Sequence, residues 1–96
     1  MRPSELLSLH RAKILAIVAA RGARNVRVFG SAARRSDREG SDLDLLVDVP
    51  PGSSLLDIAG LQIDLEEALG VKVDLCTEAE LHPELRERIL AEARAL

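Results

Sequence analysis

Two carboxylates one residue apart, Asp42 and Asp44, stand at the head of an apolar run, and ten residues separate them from a Gly30-Ser31 pair. A third acid, Asp74, sits between Val73 and Leu75. Side chains alternate across a strand, so Asp42 and Asp44 share one face and Leu43, Leu45 and Val47 share the other. Carboxylates that close repel unless a cation neutralises them. Hard divalent cations such as Mg²⁺ take oxygen ligands. Three carboxylates and substrate phosphates can hold two Mg²⁺ ions, one lowering the pKa of an attacking hydroxyl and the other stabilising a leaving pyrophosphate. Gly30 lets a phosphate come close to the backbone. Amides at the start of a helix from Ser31 would meet it with the positive end of a helix dipole. The Ser31 hydroxyl could donate once more, and Arg34, one turn on, is placed to reach phosphate or an acidic partner surface.

Each piece has a plainer reading when taken alone. An Asp-x-Asp pair also suits an exposed strand edge kept soluble by charge. Gly-Ser is an ordinary turn, and Asp74 could be a polar strand residue. Asp48 and Asp64 read as solvated. His10, beside Arg11, reads as a surface residue and His82, before Pro83, as a cap for the last helix. Neither has Cys or His partners at zinc-ligand spacing. Cys76 falls on the Asp74 face of its strand and reads as a packed thiol rather than a nucleophile.

The elements that position these residues follow from periodicity and breakers. Ser4 is a candidate cap for a first helix whose positions Leu7, Ile14, Ile17, Val18 and Arg21 recur at helical spacing up to Gly22. Arg24 to Phe29 reads as a strand, with Val26 and Val28 on one face and Arg27 and Phe29 on the other. Ser31 to Ser36 makes one or two helical turns, and Asp37 to Ser41 a polar loop. Asp42 to Val49 is a strand, stopped by Pro50-Pro51-Gly52. Ser53 or Ser54 caps the next helix, with Ile58, Leu61, Gln62, Leu65, Ala68 and Leu69 as its buried stripe and Gly70 as its end. Val71 to Cys76 is a strand. Pro83 opens a last helix that buries Leu85, Ile89, Ala93 and Leu96. The expected fold is α/β (α+β), in the order α-β-α-β-α-β-α. Its small mixed three-stranded sheet is flanked by about four helices. The strand–helix–strand unit from Asp42 to Cys76 makes its two strands parallel. The first strand runs antiparallel, because Gly30 must meet Asp42.

Composition bounds the rest. Ninety-six residues, 47% of them apolar, make one domain, 1–96, with a single core. Phe29 is the only aromatic, so that core is aliphatic. The net charge is −3 but unevenly spread: residues 1–38 hold nine Arg or Lys against two acids, and residues 39–96 four against fourteen. The halves attract each other, and the basic share could meet a polyanion such as a nucleotide or RNA. One cysteine excludes an internal disulfide and suits a reducing, cytoplasmic setting. No apolar run reaches the length of a membrane span, and nothing reads as a signal peptide.

The combination of Gly30-Ser31, Asp42-x-Asp44 on a strand, and Asp74 on a later strand resembles the signature of the DNA polymerase β-like nucleotidyltransferase superfamily. The short chain is similar to its minimal nucleotidyltransferases (the MNT or MntA-type group). The stretch Val73-Asp74-Leu75 followed by Leu81 to Leu90 resembles that group's ending, so the likeness covers nearly all of residues 4–96. It implies an antitoxin of a type VII HEPN/MNT toxin–antitoxin system. Such a protein moves AMP from ATP to a tyrosine of a HEPN-domain RNase toxin, which carries an Arg-x₄₋₆-His motif. Carried over, Gly30 and Ser31 hold the triphosphate, with Arg34 near it. Asp42 and Asp44 bind both Mg²⁺ ions. Asp74 binds the catalytic metal and helps activate the tyrosine hydroxyl. Relatives often have Arg after Gly-Ser, where this chain has Ala32; Arg34 and Arg35 could cover that position. After Asp74 the chain has about one helix left with which to build an acceptor pocket, so a partner surface is expected to supply the acceptor. The implied partners are thus the toxin, in a hetero-oligomer, and ATP, with no direct nucleic acid and no membrane. Two readings stay open beside this one. One is nucleotidyl transfer to a small molecule or an RNA end. The other is a binding-only antitoxin that covers its toxin without chemistry.

Overall fold

The parallel pair expected from the Asp42–Cys76 unit is present in the computed structural model, which describes all of residues 1–96. Helices α1 (Pro3–Leu9) and α2 (Arg11–Ala20) lead to strand β1 (Arg24–Phe29). The one-turn helix α3 (Gly30–Ala33) and strand β2 (Leu43–Asp48) follow. Helix α4 (Leu55–Leu69) crosses over to β3 (Val73–Cys76), and a 3₁₀ turn (Glu78–Glu80) leads into α5 (Pro83–Glu92) and β4 (Arg94–Ala95). The sheet order is β3-β2-β1-β4. Strands β2 and β3 are parallel, and β1 is antiparallel to both β2 and β4. The fold is mixed α+β.

Register separates the sheet into two faces. Val28, Leu45 and Leu75 are lateral partners on one face. With Val26, Leu43, Val47 and Val73 they form a core against Leu7 of α1, Ile14 and Val18 of α2, Ala32 and Ala33 of α3, and Leu61, Leu65 and Leu69 of α4. The other face carries Phe29, Asp44 and Asp74 as one lateral row and Arg27, Leu46 and Cys76 as the next. Leu46 and Phe29 are buried there without belonging to the main core. Helix α4 forms as its sequence demands: Ser54 accepts from the Asp57 amide while the Asp57 side chain accepts from the Ser54 amide, a capping box, and Gly70 closes the helix at φ 70°. The guanidinium of Arg21 lies over Gly60, where a Cβ would collide with it, and pairs with Asp64 at 2.7 Å. Asp64 is therefore engaged rather than merely solvated.

Four expectations are corrected. The N-terminal helix is two helices that meet at His10. Its cap position is Arg2, with Pro3 at the first helical position, and Ser4 lies inside the first turn. The Ser4 amide instead donates to Asp37 Oδ2 at 2.8 Å, so a carboxylate from the loop after α3 does the capping. The sheet has a fourth strand: Arg94 and Ala95 pair with Val28 and Arg27, and the Leu96 amide donates to Val26 at 3.0 Å. Residues 93–96 are therefore not the end of the last helix. Finally, α5 has no fully buried residue, and Leu85 is 43% exposed.

Candidate active site

The site is built where β1 hands over to α3. Phe29, last in β1, is the lateral partner of Asp44. The chain then turns through Gly30 at φ 70°, a left-handed conformation that glycine adopts without steric cost. A second constraint fixes the residue type: a Cβ at Gly30 would overlap the Asp44 carboxylate. Gly30 and Asp44 thus need each other, one for lack of a side chain and the other for the space left. Asp74 is the lateral partner of Asp44 on the parallel neighbour.

Asp44 is half-buried, and its carboxyl is pushed up to about 6, first by burial and then by the charges of Asp74 and Asp42, with Arg34 pulling the other way. Asp42 lies just before β2 and is exposed, with Oδ2 3.9 Å from Lys72 Nζ. No three acidic, histidine or cysteine side chains converge on a single point that would hold a metal ion. The donor chemistry nevertheless fits a hard cation. Asp44 and Asp74 lie side by side on one face of the sheet, and Asp44 holds its proton tightly first because it is half-buried and then because carboxylates adjoin it. Asp42 would join them by swinging away from Lys72.

Arg34 is not free. Its Nη1 donates to both carboxylate oxygens of Glu92, at 3.1 and 3.0 Å. The same Glu92 Oε1 accepts from the Gly30 amide at 3.0 Å. The Ser31 side chain is partly exposed beside this turn. Sequence reading missed Glu92, because an acid in the last turn of a polar helix looks like any solvated charge. It also missed Asp37, which sits in the polar loop but is only 4% exposed. Asp48 is not merely solvated: it accepts from Arg27 at 2.9 Å and from Asn25 at 3.0 Å. Burial first, and then the charges of Asp74, Glu80 and Asp44, push the Cys76 thiol up to about 11. It stays protonated at neutral pH and is a packed thiol, as expected. His82 Nδ1 accepts from the Glu84 amide at 3.2 Å and caps α5. The largest cavity, about 730 Å³, lies elsewhere, between α1, α3 and β4, and none of the three aspartates lines it.

A family model for the nucleotidyltransferase domain matches residues 11–96. The chain belongs to this nucleotidyltransferase family. Among curated relatives, "Putative protein adenylyltransferase MJ0435" of Methanocaldococcus jannaschii is 46% identical over 81 residues, covering 84% of this chain and 87% of the relative. The protein adenylyltransferase MntA of Thermococcus cleftensis is 39% identical over 71 residues, covering 74% and 72%. A solved structure described as a "putative minimal nucleotidyltransferase" superposes with a TM-score of 0.84 at 50% identity, covering 97% of this chain and 95% of that one. The MNT antitoxin bound to a tri-AMPylated HEPN toxin of Shewanella oneidensis shares the fold at TM-score 0.70 and 19% identity, covering 92% and 69%. In this nucleotidyltransferase Asp44 lies on β2 and Asp74 on β3, while Asp42, expected to open its strand, falls one residue before it.

Proposed function

We propose that this nucleotidyltransferase is a Mg²⁺-dependent protein adenylyltransferase that moves AMP from ATP to a tyrosine of a HEPN-type RNase toxin, acting as that toxin's antitoxin. The observation that carries the reading is the Asp44 carboxylate, seated against the bare backbone of Gly30 and beside Asp74. A glycine turn beside neighbouring carboxylates supports the reading, because such anions call for a cation and a bare backbone suits phosphate binding. The names of the relatives supply the acceptor class: protein adenylyltransferases among the curated proteins, and an MNT antitoxin with an AMPylated HEPN toxin among the solved structures.

In this reading Gly30 and Ser31 bind the triphosphate through backbone amide and hydroxyl, and Arg34 adds a positive charge beside it. Asp42, Asp44 and Asp74 would hold the Mg²⁺. When bound there, Mg²⁺ neutralises charge on the phosphates and lowers the pKa of the attacking hydroxyl. The tyrosine oxygen attacks the α-phosphorus and the α–β bridging P–O bond breaks. Pyrophosphate departs with the bonding electrons, and the phenolic proton leaves on the side of Asp74.

Incubating the protein with ATP, Mg²⁺ and the product of the neighbouring gene, then weighing that product, tests the reading. A gain of one or more AMP units on tyrosine is expected, and Asp42→Ala with Asp44→Ala abolishes it while the protein stays folded. A double mutant that still silences the toxin in cells as well as wild type would refute the catalytic account. Label on a small molecule or an RNA end, with none on the partner, would do the same.

A further inference from the structure

Glu92 has the chemistry of a phosphate and sits where the proposed site needs one. Its carboxylate takes the Gly30 amide at 3.0 Å and forms a forked pair with Arg34. Burial works against its charge, but the Gly30 and Arg34 hydrogen bonds outweigh that and hold its carboxyl below the usual range, so it is an anion at neutral pH. Glu92 is also the last residue of α5, a helix with no fully buried side chain. The residues immediately after it form β4, which is two residues long at the sheet edge. The C-terminal segment is therefore fastened largely through its end, by the pairing of β4 and Leu96 with β1 and, at the end of α5, by the Glu92 anion on the Gly30 turn.

We propose that Glu92 is a latch that occupies the phosphate position in the nucleotide-free protein, and that binding of the ATP triphosphate displaces it and loosens α5. This rests on the nucleotide site described above and adds to it a coupling. One amide and one guanidinium cannot serve the carboxylate and the phosphate fully at once, so nucleotide and docked helix compete. The competition is reciprocal: whatever the latch costs nucleotide affinity, bound nucleotide costs the docking of α5. An α5 freed in this way is a loaded-state signal on the surface next to the site, where an acceptor protein must approach.

Calorimetric titration with ATP and Mg²⁺ tests the competition. Glu92→Ala is expected to bind ATP roughly tenfold more tightly than wild type, the scale of one charge-assisted contact removed from a competitor. Glu92→Gln, which keeps an acceptor for Gly30 and loses the charge, falls between them. Glu87→Ala, which removes a charge of the same sign from an exposed position on the same helix, is expected to leave affinity unchanged. A second readout needs no variant: in wild type, amide hydrogen exchange over residues 89–95 should speed up when ATP and Mg²⁺ are added. Equal binding by wild type and Glu92→Ala, or slower exchange over 89–95 with ATP, would overturn the latch and leave the nucleotide site standing. A matching gain from Glu87→Ala would reduce the effect to general charge and also overturn it. Failure of wild type and variants alike to bind ATP would refute the nucleotide site and the latch together.

Discussion

Asp44 is the residue on which stability and chemistry conflict. Its carboxyl titrates near 6 in the fold against an ordinary 3.8, so the cation-free folded state keeps a proton that the unfolded chain gives up between those values. Stability contributed at this site is therefore full below about pH 4 and declines as pH rises to about 6, staying lower above that. Half exposure screens the effect, leaving about 1 kcal/mol of the shift's nominal value. Asp44→Asn should then abolish nucleotidyl transfer and yet melt higher than wild type at pH 8 without Mg²⁺, by about 5 °C for a domain of this size. At pH 4 the two should melt alike. Thermal scans at both pH values in EDTA check this, and an Asn variant that melts lower at pH 8 would show that the charge is already compensated within the protein. The candidate residues stood out in the sequence because their patterns are local: a Gly-Ser turn after a strand, and acids at alternate positions of an apolar strand. The collision with Asp44 that bars a Cβ at Gly30 was not legible, because it joins two strands. Glu92 was not legible, because its role comes from Gly30, 62 residues away in the chain.

At the scale of elements, the same division between local and distant causes decides what could be foreseen. Helix α4 carries its own cap, stripe and glycine stop, and β1, β2 and β3 carry alternation, so these appeared where expected, trimmed by one or two residues at the ends. The two-residue β4 has no pattern of its own and exists only because β1 offers it an open edge. The break at His10 has no glycine or proline to announce it. What distinguishes α1 is an anchor from outside: Asp37 accepts the Ser4 amide, while Pro3 packs at the helix start. Burial works to raise the Asp37 carboxyl, but the Ser4 backbone and side chain and Asp37's own amide together hold it below its ordinary range. Its contribution is therefore present above about pH 4 and lost as the pH falls further. Its Oδ1 is buried without a partner, which limits the gain from the contact. Asp37→Ala is expected to cost about 1 kcal/mol at pH 7, the ordinary price of a lost helix cap, and to raise amide exchange in α1 while α4 stays protected. If α1 and α4 loosen equally, Asp37 supports the whole fold rather than one helix end.

At the scale of the whole molecule, the uneven spread of charge is partly resolved by ion pairs joining the basic first part of the chain to the acidic remainder: Arg21 with Asp64, Arg27 with Asp48, and Arg34 with Glu92. Such exposed or half-exposed pairs contribute little to stability each. The important consequence is what they leave over. Asp42, Asp44 and Asp74 face the end of the sheet with no arginine paired to any of them, only Lys72 at 3.9 Å from Asp42. A triphosphate approaching this corner meets repulsion from the acids and attraction from Arg34 only after Glu92 yields. The proposed site therefore accepts nucleotide together with a divalent cation and resists it alone. ATP with Mg²⁺, at about 100 times its Kd, adds about 2.7 kcal/mol to stability, or about 13 °C in melting temperature. ATP in EDTA should give almost none of that shift, and Asp42→Ala with Asp44→Ala should remove it while the melt stays cooperative. An equal shift by ATP in EDTA would mean that the phosphates are held by the basic residues alone, and that the three aspartates serve something other than a cation.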